Sequence, residues 1–426
     1  MKKTVALHNL GCKVNAYELE AIQQLLENRG YEIVPFAPGA DVYIINTCTV
    51  TNIADRKSRQ MLHKAKKMNP DAVVVACGCY VQAAGEKLEE DTAIDLIIGN
   101  NKKKDLVDIL ENFLAEREDG GKPSDAECKS FLVDMTHNRE YETLSISKTA
   151  EHTRAFLKVQ DGCNQFCTYC IIPYARGRVR SRRQSDVVEE VKRLVEAGYQ
   201  EVVLTGIHLS SYGLDFPEGE KETLLDLIRA VDAVDGIRRI RLGSLEPGII
   251  TEEFAEAIAA MPKVCPHFHL SLQSGSNGTL KRMNRKYTAE EYKHKCDLLR
   301  KVYGNPALTT DVICRFSPQE SEEEFEESRA FVEDIISSRL TSSSIREEKA
   351  PAPQRWQARF RSRRRRSAAT FCWNWTRDGD RNIWKASSEK SWKCSWKKKS
   401  RSTASITGRD TRENICALLF FQKKIS

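Results

Sequence analysis

Three cysteines spaced CxxxCxxC constrain this 426-residue chain more than any other feature of its sequence. They are Cys163, Cys167 and Cys170. Thiolate is the form of cysteine that binds metal, and three negative sulfurs are stable side by side only when a metal neutralises them. Three thiolates can bind a four-iron cube and leave one iron without a protein ligand. We therefore predict an iron–sulfur cluster with one open iron.

Two other interpretations of these thiols stay open. A structural zinc site usually has four ligands in pairs such as CxxC or CxxH, whereas these three cysteines stand alone in the sequence. The other interpretation is that the thiols bind nothing. The spacing favours the iron–sulfur cluster over both.

The remaining cysteines and the hydropathy indicate a cytoplasmic protein. Fourteen cysteines in 426 residues are too sparse for a disulfide scaffold, and their grouping indicates metal binding in a reducing compartment. The sequence contains no run of about 18 apolar residues, so we expect no membrane span. The apolar part of residues 1–11 is too short and too interrupted for a secretory signal, and it is typical of a first strand.

The net charge of +7 conceals two parts of opposite sign. Residues 341–426 contain 22 Lys or Arg and seven Asp or Glu, whereas residues 1–340 contain 45 Lys or Arg and 53 Asp or Glu. The main body of the chain is therefore acidic, and the excess of positive charge belongs to the C-terminal part.

Short apolar runs alternate with amphipathic patterns in residues 1–115. The runs predict strands at Val5–Leu7, Val42–Asn46, Val73–Ala76 and Leu96–Ile98. Between the first two strands, the apolar spacing predicts a helix over Tyr17–Asn28 that ends before Gly30. This alternation predicts an α/β fold with an open, Rossmann-like parallel sheet, followed by a polar linker over residues 116–150.

Three more cysteines follow predicted strands of this sheet, namely Cys12, Cys48 and Cys79. Because the carboxyl ends of parallel strands line the ligand crevice of an open sheet, these cysteines can meet in space and hold a second cluster. The alternative is that each is an ordinary buried cysteine. Cys77 is ambiguous, since on an extended chain it would share the face of Cys79.

Residues 151–336 repeat a strand and a helix about every 30 residues. The predicted strands are Ala155–Gln160, Val202–Thr205, Ile237–Leu242 and His267–Leu272. This repeat predicts a partial (β/α) barrel, whose active site lies at the C-terminal ends of the strands. Gly or Ser closely follows these ends, which lets the backbone approach a ligand.

Five arginines fall within nine residues after the cysteine motif: Arg176, Arg178, Arg180, Arg182 and Arg183. Such a run usually forms a solvated surface. The interpretation that we favour here is a surface that holds the phosphates of RNA. A second basic segment at residues 281–287 also suits RNA.

The sequence of residues 162–177, GCNQFCTYCIIPYARG, resembles the methylthiotransferase family of radical S-adenosylmethionine (SAM) enzymes, and the resemblance covers about residues 1–335. It implies that the open iron of a [4Fe-4S] cluster chelates SAM. One electron from a low-potential donor then cleaves SAM to a 5′-deoxyadenosyl radical. The resemblance also places the SAM-binding loops at Thr205, Gly206, Ser244, Glu246 and Gln273.

A second [4Fe-4S] cluster is implied as well. The family holds it at motifs that here read Leu-Gly-Cys, Asn-Thr-Cys and Gly-Cys-Tyr, which correspond to Cys12, Cys48 and Cys79. The choice of Cys79 over Cys77 rests on this motif alone. No side chain is assigned as a catalytic acid or base.

The activity that the resemblance implies is attachment of a methylthio group to C2 of N6-threonylcarbamoyladenosine at position 37 of transfer RNA. The segments LGCKVN and YARGRVRSR resemble this branch of the family. Two other branches, which modify isopentenyladenosine or an aspartate of a ribosomal protein, are the enzymatic alternatives. An inactive iron–sulfur protein that binds RNA is the alternative outside enzymes.

The sequence departs from the family pattern toward its C-terminal end. Residues 314–319 replace a loop that resembles Val-Gly-Phe-Pro-Gly-Glu in the family, and the pattern is lost from about residue 337. All six Trp lie between Trp356 and Trp396, near an Arg-rich run, and the family's small C-terminal RNA-binding barrel is not recognisable. We interpret residues 337–426 as an irregular tail, frameshifted or disordered; a genuine RNA-binding arm is the alternative.

Overall fold

The computed structural model describes residues 2–118, 128–147, 154–304, 306–314, 316, 320–335 and 339–344. These residues divide into two compact units. The first unit is drawn from residues 1–269, 282–286 and 294–306, and the second from residues 270–281, 287–293 and 307 onward. Within the described ranges, no helix has the length and apolar composition that crossing a lipid bilayer requires.

Strands and helices alternate in the first part of the chain, as the sequence predicts. In chain order the elements are β1 Thr4–Asn9, α1 Lys13–Asn28, β2 Glu32–Val34, β3 Val42–Thr47, α2 Asn52–Met68, β4 Val73–Gly78, α3 Cys79–Ala84, β5 Leu96–Ile98, α4 Leu106–Glu118 and β6 Lys129–Phe131. The last strand lies within residues 116–150, so part of the stretch predicted as a linker belongs to the sheet.

These six strands form one parallel sheet with the order β2-β1-β3-β4-β5-β6. The strand order reverses between β1 and β3, since β2 lies on one side of β1 and all later strands lie on the other. In doubly wound sheets, ligands bind outside the carboxyl ends of the strands at such a reversal. The α/β class and the parallel sheet are therefore confirmed.

Both faces of this sheet are covered by apolar side chains. Within β3, Val42 and Ile44 belong to one core cluster, which includes side chains of α1 and α4. Tyr43 and Ile45 belong to the other cluster, which includes side chains of α2. Burial on both faces explains why these strands appear in the sequence as continuous apolar runs instead of alternating patterns.

The elements of the second part are β7 Ala155–Asp161, α5 Ile172–Ala175, β8 Arg180–Ser181, α6 Gln184–Glu196, β9 Glu201–Gly206, α7 Leu224–Asp232, β10 Arg239–Leu242, β11 Ser244–Leu245, α8 Glu252–Ala259, β12 His267–Leu270, α9 Asn277–Arg282, α10 Ala289–Tyr303, β13 Ala307–Cys314, α11 Glu322–Asp334 and β14 Arg339–Ser344. A second sheet in the first unit has the order β10-β9-β7-β8. Its longer strands β7, β9 and β10 are parallel.

Helix α1 packs against β1 of the first sheet and also against β7 of the second. A single helix therefore connects the sheet that carries Cys12 to the strand that leads into the CxxxCxxC motif. The short helix α5 packs against α3 in a similar way. These two contacts bring the two groups of cysteines into one unit of the structure.

In the second unit, β13 pairs in parallel with β14. Strand β14, Arg339–Ser344, lies within the stretch 337–426 that the sequence analysis interprets as an irregular tail. Residues 315, 317–319 and 345–426, which include the six Trp and the Arg-rich run, lie outside the described residues.

Candidate functional site

Cys12, Cys48 and Cys79, here called the auxiliary trio, emerge from one edge of the first sheet. They follow β1, β3 and β4, which are neighbours in that sheet. The register pairs Asn9 with Asn46 and Thr47 with Gly78, so the three strands end at the same level. The trio therefore lies at the strand-order reversal, where an open α/β sheet binds ligands.

The thiols of this trio lie close enough to influence one another. Burial is the main cause that raises the pKa of Cys48 to about 11, and the charges of Cys79 and Cys12 contribute to this rise. A Cβ atom added at Gly11 would lie 3.1 Å from Cys48 Sγ, so the loop before Cys12 passes directly over Cys48. Cys48 and Cys79 are buried and Cys12 is exposed, which leaves one side of the trio open.

The structure separates Cys79 from Cys77, which the sequence pattern does not do. Cys77 lies inside β4, and its side chain packs in the apolar core. Gly78 then adopts a φ of +98°, and α3 begins at Cys79. The chain is thus not extended through Gly78, and Cys79 turns to the end of the sheet.

We expect Gly78→Ala to lower the free energy of unfolding. The loss should be about 1–3 kcal/mol larger than a positive φ alone would cause. The added Cβ would lie 2.5 Å from Asn46 Oδ1 and 2.6 Å from Thr47 O. Gly85→Ala is the matched control, because Gly85 also has a positive φ of +62° but nothing lies within 4 Å of an added Cβ. Urea unfolding followed by circular dichroism measures both. Equal losses of stability would show that close packing at Gly78 is unimportant.

Cys163, Cys167 and Cys170, here called the barrel trio, lie in the loop after β7. Phe166 within this loop has a φ of +48°, which is uncommon for a residue with a side chain. Asn284 supports the loop, since its Nδ2 donates to the carbonyl oxygens of Gln165 (3.2 Å) and Phe166 (3.0 Å). Burial is the main cause that raises the pKa of Cys163 to about 12, and the charges of Cys170 and Cys167 contribute to this rise.

Next to the barrel trio lies a group of polar residues whose contacts with one another the sequence analysis did not predict. Arg285 Nη1 donates to Cys167 Sγ at 3.2 Å and lies 3.6 Å from Glu246 Oε1. Glu246 Oε2 lies 2.7 Å from His208 Nε2, whose other ring nitrogen lies 2.6 Å from Ser211 Oγ. The basic segment 281–287 suggests that Arg285 is a surface residue that binds RNA. In the structure, Arg285 instead connects Cys167 of the barrel trio to Glu246, a predicted SAM contact.

Burial by itself raises the pKa of Glu246, but the hydrogen bond and charge of His208 and the charge of Arg285 outweigh it. The pKa of Glu246 is therefore lowered, and the group is a carboxylate at neutral pH. A carboxylate beside a cysteine cluster is an acceptor for the ammonium group of an amino acid.

The prediction that five arginines form a rim for RNA is wrong for three of them. Arg176, Arg180 and Arg182 are at most 3% exposed. Arg176 and Arg180 lie 3.1 and 3.6 Å from the oxygens of Asp161, and Arg182 pairs with the buried Glu190. A buried guanidinium with a carboxylate partner has no contact left for a phosphate at the surface.

The other two arginines lie nearer the surface and stack on aromatic rings. Arg178 lies 4.5 Å above the ring of Phe166, and Arg183 lies 4.5 Å above the ring of Phe216. Arg183 also pairs with Glu220 at 2.6 Å.

Below the auxiliary trio, the first unit buries a network of charged side chains that surrounds Glu18. Glu18 accepts hydrogen bonds from Lys103 (2.7 Å), Lys158 (2.8 Å) and Arg176 (2.9 Å). Burial by itself raises the pKa of Glu18, but these positive charges outweigh it and hold the pKa well below its ordinary value. The network therefore stays ionised at neutral pH.

Positive charge exceeds negative charge in this network. Its buried cations are Lys103, Lys158, Arg176 and Arg180, and its buried carboxylates are Glu18, Asp161 and Glu142. One of these cations reaches the auxiliary trio, since Cys79 Sγ accepts a hydrogen bond from Arg176 Nε at 3.0 Å. An anionic sulfur at Cys79 would balance the excess, because buried charges require a partner.

These observations fit iron–sulfur clusters at both trios. A thiolate bound to iron is anionic, and each trio has one arginine that donates to one of its sulfurs. Among the described residues, no three Cys, His, Asp or Glu side chains converge as closely as a single metal ion requires. In a four-iron cube each thiolate binds a different iron, so its sulfurs stand farther apart than the ligands of one ion.

The five predicted SAM contacts fall into both units. In the first unit, Thr205 and Gly206 end β9, Ser244 begins β11, and Glu246 follows that strand. A Cβ atom added at Gly206 would lie 2.9 Å from Gln160 Cβ, so a side chain at this position would displace Gln160. Gln273 belongs to the second unit, where it has a φ of +67° and donates its backbone N–H to Asp311 O at 2.9 Å.

Two family models match the chain. The model described as Uncharacterized protein family UPF0004 matches residues 4–99, which include the auxiliary trio. The model of the Radical SAM superfamily matches residues 157–332, which include the barrel trio.

Curated relatives are similar over most of the chain. The threonylcarbamoyladenosine tRNA methylthiotransferase of Bacillus subtilis is 42% identical over 331 residues, which are 78% of this chain and 71% of that protein. The protein of the same name from Aquifex aeolicus is also 42% identical over 331 residues, with 78% and 77% covered. The tRNA-2-methylthio-N(6)-dimethylallyladenosine synthase of Clostridium tetani is 34% identical over 341 residues, with 78% and 72% covered.

Solved structures share the fold at low sequence identity. The radical SAM methyltransferase TsrM from Kitasatospora setae, with cobalamin and a [4Fe-4S] cluster bound, has a TM-score of 0.57 at 17% identity and covers 81% of this chain and 75% of that one. The cobalamin-dependent SAM radical enzyme OxsB has a TM-score of 0.54 at 13% identity, with 80% and 53% covered. These likenesses concern the fold alone.

Proposed function

The chain belongs to the radical SAM methylthiotransferase family, and on this premise we propose that it converts N6-threonylcarbamoyladenosine at position 37 of transfer RNA to its 2-methylthio derivative. The observation that carries this proposal is the 42% identity to a threonylcarbamoyladenosine tRNA methylthiotransferase over 331 residues. Both groups of cysteines lie inside the regions that the family models match.

Membership in this family brings SAM and a [4Fe-4S] cluster, which we assign to the barrel trio. We assign a second [4Fe-4S] cluster to the auxiliary trio, because its thiols meet at the strand-order reversal and Arg176 supports an anionic sulfur there. When bound, the clusters and SAM supply the one-electron chemistry and the sulfur that are required to replace an unreactive C–H hydrogen by a methylthio group.

The side chains of the chain itself would bind and orient the reactants. Glu246, kept ionised by His208 and Arg285, would accept hydrogen bonds from the amino group of SAM. Thr205, Gly206, Ser244 and Gln273 remain proposed SAM contacts. Of the five arginines first expected to bind tRNA, only Arg178 and Arg183 lie near enough to the surface to contact phosphate.

Nucleoside analysis of transfer RNA tests this proposal. The chain is expressed in a bacterium that lacks its own threonylcarbamoyladenosine methylthiotransferase, and digested transfer RNA is analysed by mass spectrometry. We expect the 2-methylthio derivative of threonylcarbamoyladenosine to reappear, and Cys48→Ala to abolish it. A methylthio mark on isopentenyladenosine instead would assign the chain to the other tRNA branch. Iron-loaded protein that binds transfer RNA without cleaving SAM would show an inactive RNA-binding protein.

A further inference from the structure

We infer that Arg176 is the positioning residue that holds all three cysteines of the auxiliary trio. The inference rests on the proposed function, since it takes Cys12, Cys48 and Cys79 as ligands of the second cluster. Arg176 follows Cys170 of the barrel trio by six residues. Its buried guanidinium fixes the geometry of the auxiliary trio.

Every N–H group of Arg176 has an acceptor. Its Nε donates to Cys79 Sγ at 3.0 Å. Its Nη1 donates to Glu18 Oε1 (2.9 Å) and Asp161 Oδ1 (3.1 Å), and its Nη2 donates to Asn15 Oδ1 (2.7 Å) and Glu18 Oε2 (3.0 Å). A guanidinium has five such donors, so the side chain is held at every point where it can bond.

Asn15 links Arg176 to the loops that carry the other two cysteines, Cys12 and Cys48. Its Nδ2 donates to the carbonyl oxygens of Leu10 (2.7 Å) and Thr47 (2.9 Å). Leu10 lies two residues before Cys12, and Thr47 directly precedes Cys48. The guanidinium and the amide that it orients therefore connect the three strand ends that carry the trio.

The surroundings of the guanidinium hold it in this position. Arg176 is fully buried, and its partners Glu18 and Asp161 are themselves held by Lys158 at 2.8 and 2.6 Å. A lysine at this position keeps the charge but has a single nitrogen in place of the planar fork, so it cannot reach the sulfur, the amide and both carboxylates together.

The contact with Cys79 also predicts an electronic effect. Hydrogen bonds to the sulfurs of an iron–sulfur cluster help to set its reduction potential. A positive donor at 3.0 Å from one ligand sulfur stabilises the reduced, more negative form of a bound cluster. Arg176 is therefore expected to raise the reduction potential of the auxiliary cluster.

The iron content and the cluster reduction potential of the reconstituted chain test this role. Unsubstituted protein should hold about eight irons per chain, and Arg176→Gln and Arg176→Lys should hold about four. SAM cleavage by dithionite-reduced protein should persist in both variants, which shows that the barrel trio is loaded and its surroundings are folded. Any auxiliary cluster that Arg176→Lys retains should have a lower reduction potential than in unsubstituted protein.

Arg182→Gln is the matched control. Arg182 is also a buried arginine in the same segment, but it pairs with Glu190 and the hydroxyl of Tyr17 and contacts none of the six cysteines. We expect Arg182→Gln to lower stability yet keep about eight irons. Asn15→Ser breaks the bonds to Leu10 and Thr47 without removing Arg176, and should also lower the iron content.

A measurement on metal-free protein separates this inference from the proposed function. Hydrogen–deuterium exchange of residues 10–12, 47–49 and 78–80 should be faster in Arg176→Gln and Asn15→Ser than in unsubstituted protein, and unchanged in Arg182→Gln. Unchanged exchange together with about eight irons in both Arg176 variants would overturn the role of Arg176. If unsubstituted protein holds only about four irons, the assignment of the second cluster fails, while the exchange data still decide whether Arg176 positions the loops.

Discussion

Glu18→Gln is expected to destabilise the folded chain by about 3–5 kcal/mol, because it leaves buried cations without their shared partner. Lys103, Lys158 and Arg176 all contact the Glu18 carboxylate within 3 Å, and every one of these side chains is fully buried. Glutamine keeps the shape and removes the charge, so the loss reports electrostatics more than packing. Urea unfolding followed by circular dichroism at neutral pH measures it.

Glu111→Gln is the control for this experiment. Glu111 also pairs with an arginine, Arg29, but the two side chains are 38% and 49% exposed. Exposed pairs contribute little, so we expect a loss below about 1 kcal/mol. Equal losses in the two variants would contradict the buried network as a source of stability.

The stability difference between unsubstituted protein and Glu18→Gln should depend on pH. The pKa of Glu18 is lower in the folded chain than in the unfolded chain, since its cationic partners outweigh the effect of burial. Its contribution is therefore complete above the ordinary carboxyl pKa of about 4.3 and is lost as the pH falls toward the folded value. The gap between the two proteins should accordingly narrow below about pH 4.

The positions of both cysteine trios could be predicted from the sequence because they depend on local patterns. Continuous apolar runs mark the strands, and parallel strands end at a common edge, so the pattern predicts that Cys12, Cys48 and Cys79 can meet. The spacing of Cys163, Cys167 and Cys170 needs only a loop. Which of Cys77 and Cys79 belongs to the trio was not accessible in this way, since it depends on the φ of Gly78.

The interpretation of the arginines failed because burial of charge is a tertiary property. A run of Arg residues is usually solvated, and nothing within residues 175–183 reveals the carboxylates supplied by α1, β7 and α6. A weaker signal was present: Lys158 and Asp161 interrupt a strand that is otherwise largely apolar, and Glu18 lies on the apolar side of α1 beside Tyr17. Charged residues in such positions indicate a buried ion pair.

Arg285 shows the same limit over a longer distance. It lies 118 residues from Cys167 in sequence, yet it donates to the sulfur of that cysteine. Sequence patterns of one chain predict elements and their faces, but they do not predict which distant side chain completes a site. The contact with Glu246 likewise became visible only in the structure.

Replacing each cysteine trio in turn by alanine is expected to separate SAM cleavage from methylthio transfer. Loss of the barrel trio should abolish both SAM cleavage and methylthio transfer, whereas loss of the auxiliary trio should abolish transfer and leave cleavage. The auxiliary trio follows β1, β3 and β4, whereas the barrel trio lies in the loop after β7, so each site can be removed alone. Iron content should fall from about eight to about four per chain in either variant.

Cys77→Ala is the control that makes this test specific. Cys77 lies two residues from Cys79, but it packs in the apolar core, where its Sγ lies 3.7 Å from Ile45 O. Its replacement should keep about eight irons, SAM cleavage and methylthio transfer. Loss of about four irons in Cys77→Ala but not in Cys79→Ala would mean that the ligand had been assigned to the wrong cysteine. Retention of all iron after loss of Cys12, Cys48 and Cys79 would rule out a cluster at the strand ends, and with it the proposed source of the transferred sulfur.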